Sequence, residues 1–437
     1  MHSPRGILLD ECDNLQRVLD ETLRSNYGLE GSEDFYTECQ ARLAYIKSEL
    51  VNTPEDEHQN LQKSAELLQA LSDLLSRIER SSIEHYSWPF VDELKKIALA
   101  LCTEATLAGP NTPPYVFVLS EGGPGAYAIR PEQQRPSGAS RRIHTITLPR
   151  TLKHFVLLHA ILGHEIGHAM FRCSKHQADL ANILSTQLLP GSSLATPATA
   201  AAWIYSPNAP IHVRQQLTDL AIRFGVTQGN LWNNFNFNQW REEILCDFLG
   251  IMTFGPSFVA AESNVLYGLN PSGAQVGPFH PPTGCRLTYL LSASRLLGYS
   301  TRTFSDSELS KSVAAFWAKL EAKRPTDPWY TLFTDAQIQA AANAMANLLH
   351  PLPPASYQPP DEEDLLLFTR QFANAVPPVG SYLNNDKAVH CRKIDFRNIL
   401  EAGWIAATTS SLSFDKLNRL CEYGILQQQA VNISLKA

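Results

Sequence analysis

The stretch HFVLLHAILGHEIGHAMFR, His154 to Arg172, decides how this chain is read. Apolar residues fall on nearly every face of its turns, which predicts one buried helix over 154–172. Within it stands His164-Glu165-Ile166-Gly167-His168. Burying two imidazoles and a carboxylate in an apolar helix is costly unless they have a task. Residues four apart on a helix share a face, so both imidazoles can meet one metal ion. The chain has 13 histidines among 437 residues, and an H-E-x-x-H pattern would arise by chance only about 0.02 times in such a sequence.

Working outward, the segment before the helix changes period. Arg142 to Leu148 (RIHTITL) alternates as a strand, and Tyr115 to Ser120 and Ala126 to Ile129 read as two more. Gly122-Gly-Pro-Gly125 is a turn that lacks the lysine of a phosphate loop. Residues 1–106 are helical by period, with Leu61, Leu68, Leu71, Leu75 and Ile78 on one stripe and Val91 to Leu101 on another. Ser81-Ser82 and Trp88-Pro89 punctuate them. Beyond the central helix the pattern predicts helices near 174–188, 211–224, 239–254, 308–322, 335–349, 361–374, 395–407 and 413–428. His350 to Asp361 (HPLPPASYQPPD) is a Pro-rich connection. Strands followed by helices, with no βαβ repetition, define an α+β class that is predominantly helical. The boundaries are a helical N-terminal region over 1–106, a core over 107–300 and a helical C-terminal region over 301–437.

Composition narrows the function. Hydrophobic residues make up 44% of the chain and charged residues 18%, enough apolar mass for a sizeable core. The formal net charge of −7 gives the whole chain no general electrostatic grip on nucleic acid or anionic lipid. The eight cysteines form no C-x-x-C pair, and Asp10, Glu11 and Asp13 follow the start too closely for a signal peptide. Residues 180–213 carry no charge, but Pro190, Gly191, Pro197, Pro207 and Pro210 interrupt them; they read as a long loop with one helical turn. The expectation is a soluble, cytoplasmic protein with reduced thiols.

A catalytic zinc takes three protein ligands and keeps a fourth position open. His164 and His168 supply two. The metzincin spacing would need Gly and His at the positions of Phe171 and Ser174, so the third ligand comes from elsewhere. Trp240-Arg-Glu-Glu-Ile-Leu-Cys-Asp247 offers Glu243, with Asp247 four residues on and free to hold the outer nitrogen of a ligating histidine. Glu242 is a rival third ligand, turned about 100° away around the helix. Glu165, beside the first histidine, is placed to take a proton from an attacking water as general base. In Phe279-His-Pro-Pro-Thr-Gly-Cys-Arg286, His280 is a candidate for steadying an oxyanion, and Arg286 for pairing with a buried carboxylate.

His164-Glu165-x-x-His168 together with Glu243-x-x-x-Asp247 resembles the gluzincin zinc peptidases, the thermolysin-like clan. His280-Pro281-Pro282 followed by Arg286 is similar to the H-P-P-x-x-x-R element of the CAAX prenyl-endopeptidase and HtpX-like heat-shock peptidase group. The resemblance covers roughly residues 112–300. It implies a minigluzincin-like catalytic core with a small sheet, Zn2+ held by His164, His168 and Glu243, Glu165 as base and acid, and His280 and Arg286 bordering the site. Members of that group are membrane-embedded. This chain has no span, so a membrane or prenylated substrate is not carried over.

The expected activity is a zinc-dependent endopeptidase acting on a peptide or protein substrate. The alternatives are a latent regulatory protease with one dedicated target, and a non-catalytic metal-binding scaffold. The helical flanks are candidates for a regulatory protein partner. Arg142 to Leu148, with His144 and Thr145, is the candidate edge strand for an extended substrate.

Overall fold

A computed structural model of the chain describes residues 3–25, 33–79, 87–106, 109–123, 126–132, 139–188, 197–269, 275–331, 333–352, 355–383 and 389–435. Ser81-Ser82, Pro124-Gly125 of the turn, Pro190 and Gly191 of the uncharged stretch and Pro353-Pro354 of the Pro-rich connection lie outside the described residues.

The chain opens with α1 (Pro4–Ser25), α2 (Glu33–Asn52) and α3 (His58–Glu79), which close on one another around Leu19, Phe35, Leu43, Ile46, Leu50 and Leu71. α4 (Trp88–Leu101) follows, then a short antiparallel pair, β1 (Glu104–Thr106) and β2 (Gly109–Thr112). The central sheet has three strands, β3 (Tyr115–Ser120), β4 (Ala128–Pro131) and β5 (Ile143–Leu148), in the order β3-β5-β4. β3 runs parallel to β5, with Val118 opposite Ile146, and β4 runs antiparallel to it, with Ile129 opposite the same residue.

Strand alternation gives the sheet two apolar faces. Phe117, Leu119 and Ile143 point into the α1–α3 layer, while Val116, Val118, Ile146 and Leu148 point into the main core. A buried arginine ties layer to sheet. Arg42 contacts Glu38 at 3.2 Å, the carboxylate of Glu132 and the carbonyl of Arg141, and Glu38 accepts from the amide of Ser140 at 3.0 Å.

The main core is helical: α5 (Leu162–Cys173), α6 (Gln177–Thr186), α7 (Pro197–Ile204), α8 (Ile211–Phe224), α9 (Phe237–Phe254), α10 (Pro256–Leu269) and α11 (Thr283–Leu296). It continues through α12 (Ser307–Glu321), α13 (Asp335–Leu349), α14 (Glu362–Ala373), a short β6 (Ser381–Leu383) and β7 (Val389–Cys391) pair, α15 (Phe396–Thr409) and α16 (Phe414–Ser434). The molecule is a mostly helical α+β protein with a small mixed sheet. Among the described residues no helix is long and apolar enough to cross a membrane.

Three expectations are corrected. The helix over 154–172 begins only at Leu162; residues 150–152 and 158–161 are single 3-10 turns. Partners from outside take the backbone groups that a helix would use internally. Asn418 accepts the Leu157 amide at 2.9 Å and Trp404 donates to the Leu157 carbonyl; within the segment itself, the ring of His159 takes the carbonyl of Lys153 at 3.2 Å. Second, the strand at 142–148 is no edge: β5 is central and all six of its residues are buried. The edge beside α5 is β4. Third, α7 spans two turns rather than one. No expectation covered 256–269, where α10 follows α9 after a break at Gly255, whose φ of 58° is left-handed.

Candidate metal centre

The site is built where α5 crosses α9. Gly163 and Gly167, four apart on α5, face Gly250 and Cys246, four apart on α9. A Cβ on Gly163 would come within 2.9 Å of the Gly250 Cα, and one on Gly167 within 2.8 Å of the Cys246 sulfur. The helices therefore meet nearly backbone to backbone, and that approach brings α5 histidines within reach of α9 carboxylates.

Three side chains converge there. The Nε2 atoms of His164 and His168 lie 3.1 Å apart. Glu243 sets one oxygen 3.3 Å from the first and the other 3.1 Å from the second. All three residues are buried. Behind each imidazole stands another carboxylate: His164 Nδ1 faces Asp247 at 2.8 Å, and His168 Nδ1 faces Glu242 at 2.9 Å. In an imidazole whose Nε2 ligates a metal, a carboxylate behind Nδ1 holds the ring proton there. Both Nε2 atoms are aimed at each other and at the Glu243 carboxylate. Glu243 Oε2 has no hydrogen-bond partner.

Three buried acceptors this close repel unless a cation or extra protons sit among them. The donor set fits zinc. Bonds of about 2.0–2.1 Å in a tetrahedron put neighbouring ligand atoms about 3.3 Å apart, close to the spacings observed. A second donor set, Glu242 and Cys246 on the Nδ1 side of His168, shares that ring. Burial pushes the Cys246 thiol up, against the pull of His168, and a protonated thiol is a poor ligand.

The electrostatics describe a site short of positive charge. Burial and the Arg286 guanidinium push the His164 pKa down, yet the carboxylates of Asp247 and Glu243 hold it well above the usual histidine range. His168 is raised too: burial opposes its charge, and Cys246, Glu242 and Glu243 outweigh that. Burial works to raise Glu243, but the two imidazoles and Arg286 drive it far below the usual carboxylate range.

Arg286, on α11, is buried and bonds Asp247 twice, at 2.8 and 2.6 Å, and Glu262 at 2.7 Å. It props Asp247, which props His164. Burial and Asp247 raise Glu262 on α10 to about 7 despite Arg286. His280 reaches 3.7 Å from Glu243, and its side chain is 63% exposed at the mouth, in the turn before Pro281 and Pro282. Glu165 is half-buried on α5.

The residues expected at the metal centre are thus gathered at one place, Glu165 by its helix position and His164, His168, Glu243, Asp247, His280 and Arg286 by contact, while His144 and Thr145 lie in the buried central strand. Glu242 differs from its expected part as rival ligand: it backs His168 from the outer side. Sequence reasoning missed Glu262, whose signal was a lone acid in the apolar run of α10. It also missed the Gly163/Gly167 and Cys246/Gly250 seam, whose signal was small residues at matched four-residue spacing. No family model, curated protein or solved structure matches the chain, so the gluzincin likeness rests on the motif residues and their geometry.

Proposed function

We propose that this protein is a soluble zinc-dependent endopeptidase of the gluzincin kind, with a minigluzincin-like core made of the small sheet, α5 and α9. The observation that carries the reading is the meeting of His164 Nε2, His168 Nε2 and Glu243, with each ring held from behind by a carboxylate. When bound, zinc supplies Lewis acidity toward water and a peptide carbonyl. Glu165 takes the proton of the attacking water and passes it to the leaving amine. Asp247 and Glu242 fix the tautomers, keeping both Nε2 lone pairs presented. His280, at the exposed mouth, donates to the oxyanion as it develops.

The extended substrate adds to β4. The Glu132 amide bonds the Ile143 carbonyl at 2.8 Å, so strand alternation turns the main-chain groups of Arg130 toward β5 and those of Ile129 to the open edge. Eight cysteines with no disulfide suit a reducing cytoplasm. The ligands are buried and only the mouth is open, which favours a dedicated protein target over broad degradation.

Elemental analysis of the purified chain should find stoichiometric zinc, and chelation should stop peptide cleavage. Glu165→Gln should keep zinc and fold while cleavage falls by at least about a hundredfold. Wild-type cleavage by that variant would end the reading.

A further inference from the structure

We infer that a basic cleft past the end of β4 selects substrates with an acidic segment, an inference that rests on the peptidase reading above. A cavity of about 380 Å³ is lined by Arg130, Pro131 and Glu132 from β4 and its end, Arg142 before β5, and Arg172 and Cys173 from the last turn of α5. Its place relative to the metal centre follows from two contacts. At one end of β4, the Tyr127 hydroxyl meets the His159 ring, ahead of α5, at 3.1 Å. At the other end, Arg130 and Pro131 share the cleft with Arg172. β4 therefore runs alongside α5 in the same sense, past His164 and His168. Arg172 is four residues beyond His168, on the same helix face and about 6 Å further along the axis. A peptide paired to the open edge of β4 and crossing the metal centre enters this cleft within a few residues of the scissile bond.

The charges in the cleft are unequally satisfied. Arg142 is held by Glu104 at 3.3 Å and by the carbonyl of Glu132, and Glu132 is itself taken by Arg42. Arg130 and Arg172 are exposed and have no ion pair with any described residue. Both acids near the cleft are thus spent on other cations, while two guanidiniums remain open. In a chain of net charge −7, this local field sets the sign that an incoming peptide meets. Asp or Glu side chains fit it, and guanidinium forks grip carboxylates two oxygens at a time.

The test is fluorescence anisotropy on the full-length, zinc-loaded Glu165→Gln chain. It uses a labelled peptide carrying an Asp-Glu-Asp block and a Lys-Arg-Lys counterpart. The acidic peptide should bind about tenfold tighter, with the difference shrinking as salt rises. Arg130→Glu with Arg172→Glu should erase or invert the preference; both sites are exposed, and circular dichroism verifies the fold. Equal binding of the two peptides, no binding of either, or a preference that survives the double reversal overturns the inference. Cleavage by the native chain separates the two claims. Acidic-peptide binding without cleavage keeps the cleft and removes the peptidase. Cleavage indifferent to charge keeps the peptidase and removes the cleft.

Discussion

His164 and His168 at the α5/α9 seam, and His144 and His159 beside the sheet, are all buried, yet the two regions treat the same side chain in opposite ways. Beside the sheet, burial dominates. His159 accepts from Tyr127 and donates to the Lys153 carbonyl, which satisfies a neutral ring, and its pKa is lowered to about 4. His144 is lowered to about 4 as well, by burial and then by Arg142. At the seam, burial is equally deep but carboxylates surround the rings and win. Depth in the core does not set the charge a histidine wants; the partners do, and the seam has been given partners that call for a cation.

The largest way to break this contrast is to remove Arg286. Arg286→Leu leaves Asp247 and Glu262 buried without their counter-charge, and should destabilise the chain by about 3–5 kcal/mol in chemical denaturation. The sheet histidines should keep their lowered pKa values through that change.

Acid tests the other region. The pKa values of His144 and His159 are lower folded than unfolded, so between about 4 and the ordinary 6.5 the unfolded chain binds more protons. Their contribution is complete above 6.5 and is lost as pH falls toward 4, up to about 3 kcal/mol each. A stability–pH curve should fall through that window. His144→Phe should flatten it, since Phe carries no titrating group and gives up only the long contact of His144 Nε2 with the Cys173 sulfur at 3.5 Å, Nδ1 having no hydrogen-bond partner. An unchanged slope would break the comparison.

The smallest effect sharpens it. Glu242→Ala removes the carboxylate behind His168 but no proposed ligand, and should weaken zinc affinity by about 10–100-fold in competition with a chelating dye. No change would mean that the outer carboxylate does not set the ring.

The sequence was legible where physics is local. The helices of the C-terminal third start within a residue of their expected positions, because each starts on a side-chain cap: Asp306, Thr334, Asp361, Asp395 and Ser413; the last runs on to Ser434, past the expected 428. His164 with His168, and Glu243 with Asp247, were readable because four-residue spacing is a property of one helix. What escaped depends on distant partners. Residues 154–161 have a helical pattern, but Asn418 and Trp404 claim the backbone of Leu157 from the far end of the chain. β5 alternates like an edge strand, and its burial comes from α1–α3 covering the second face. Glu242 looked misdirected because helix angle alone says nothing of how closely α5 and α9 approach.

That approach has a consequence for the ion itself. Gly163 on Gly250 and Gly167 on Cys246 act as a caliper already closed to its stop. Backbone, the Cys246 side chain and the ring of Phe254 already fill the space between the jaws, so the gap resists tightening around a smaller guest. A larger one, with the bonds of about 2.3–2.6 Å that calcium needs, would have to prise two helices apart along with the hydrophobic core packed around them.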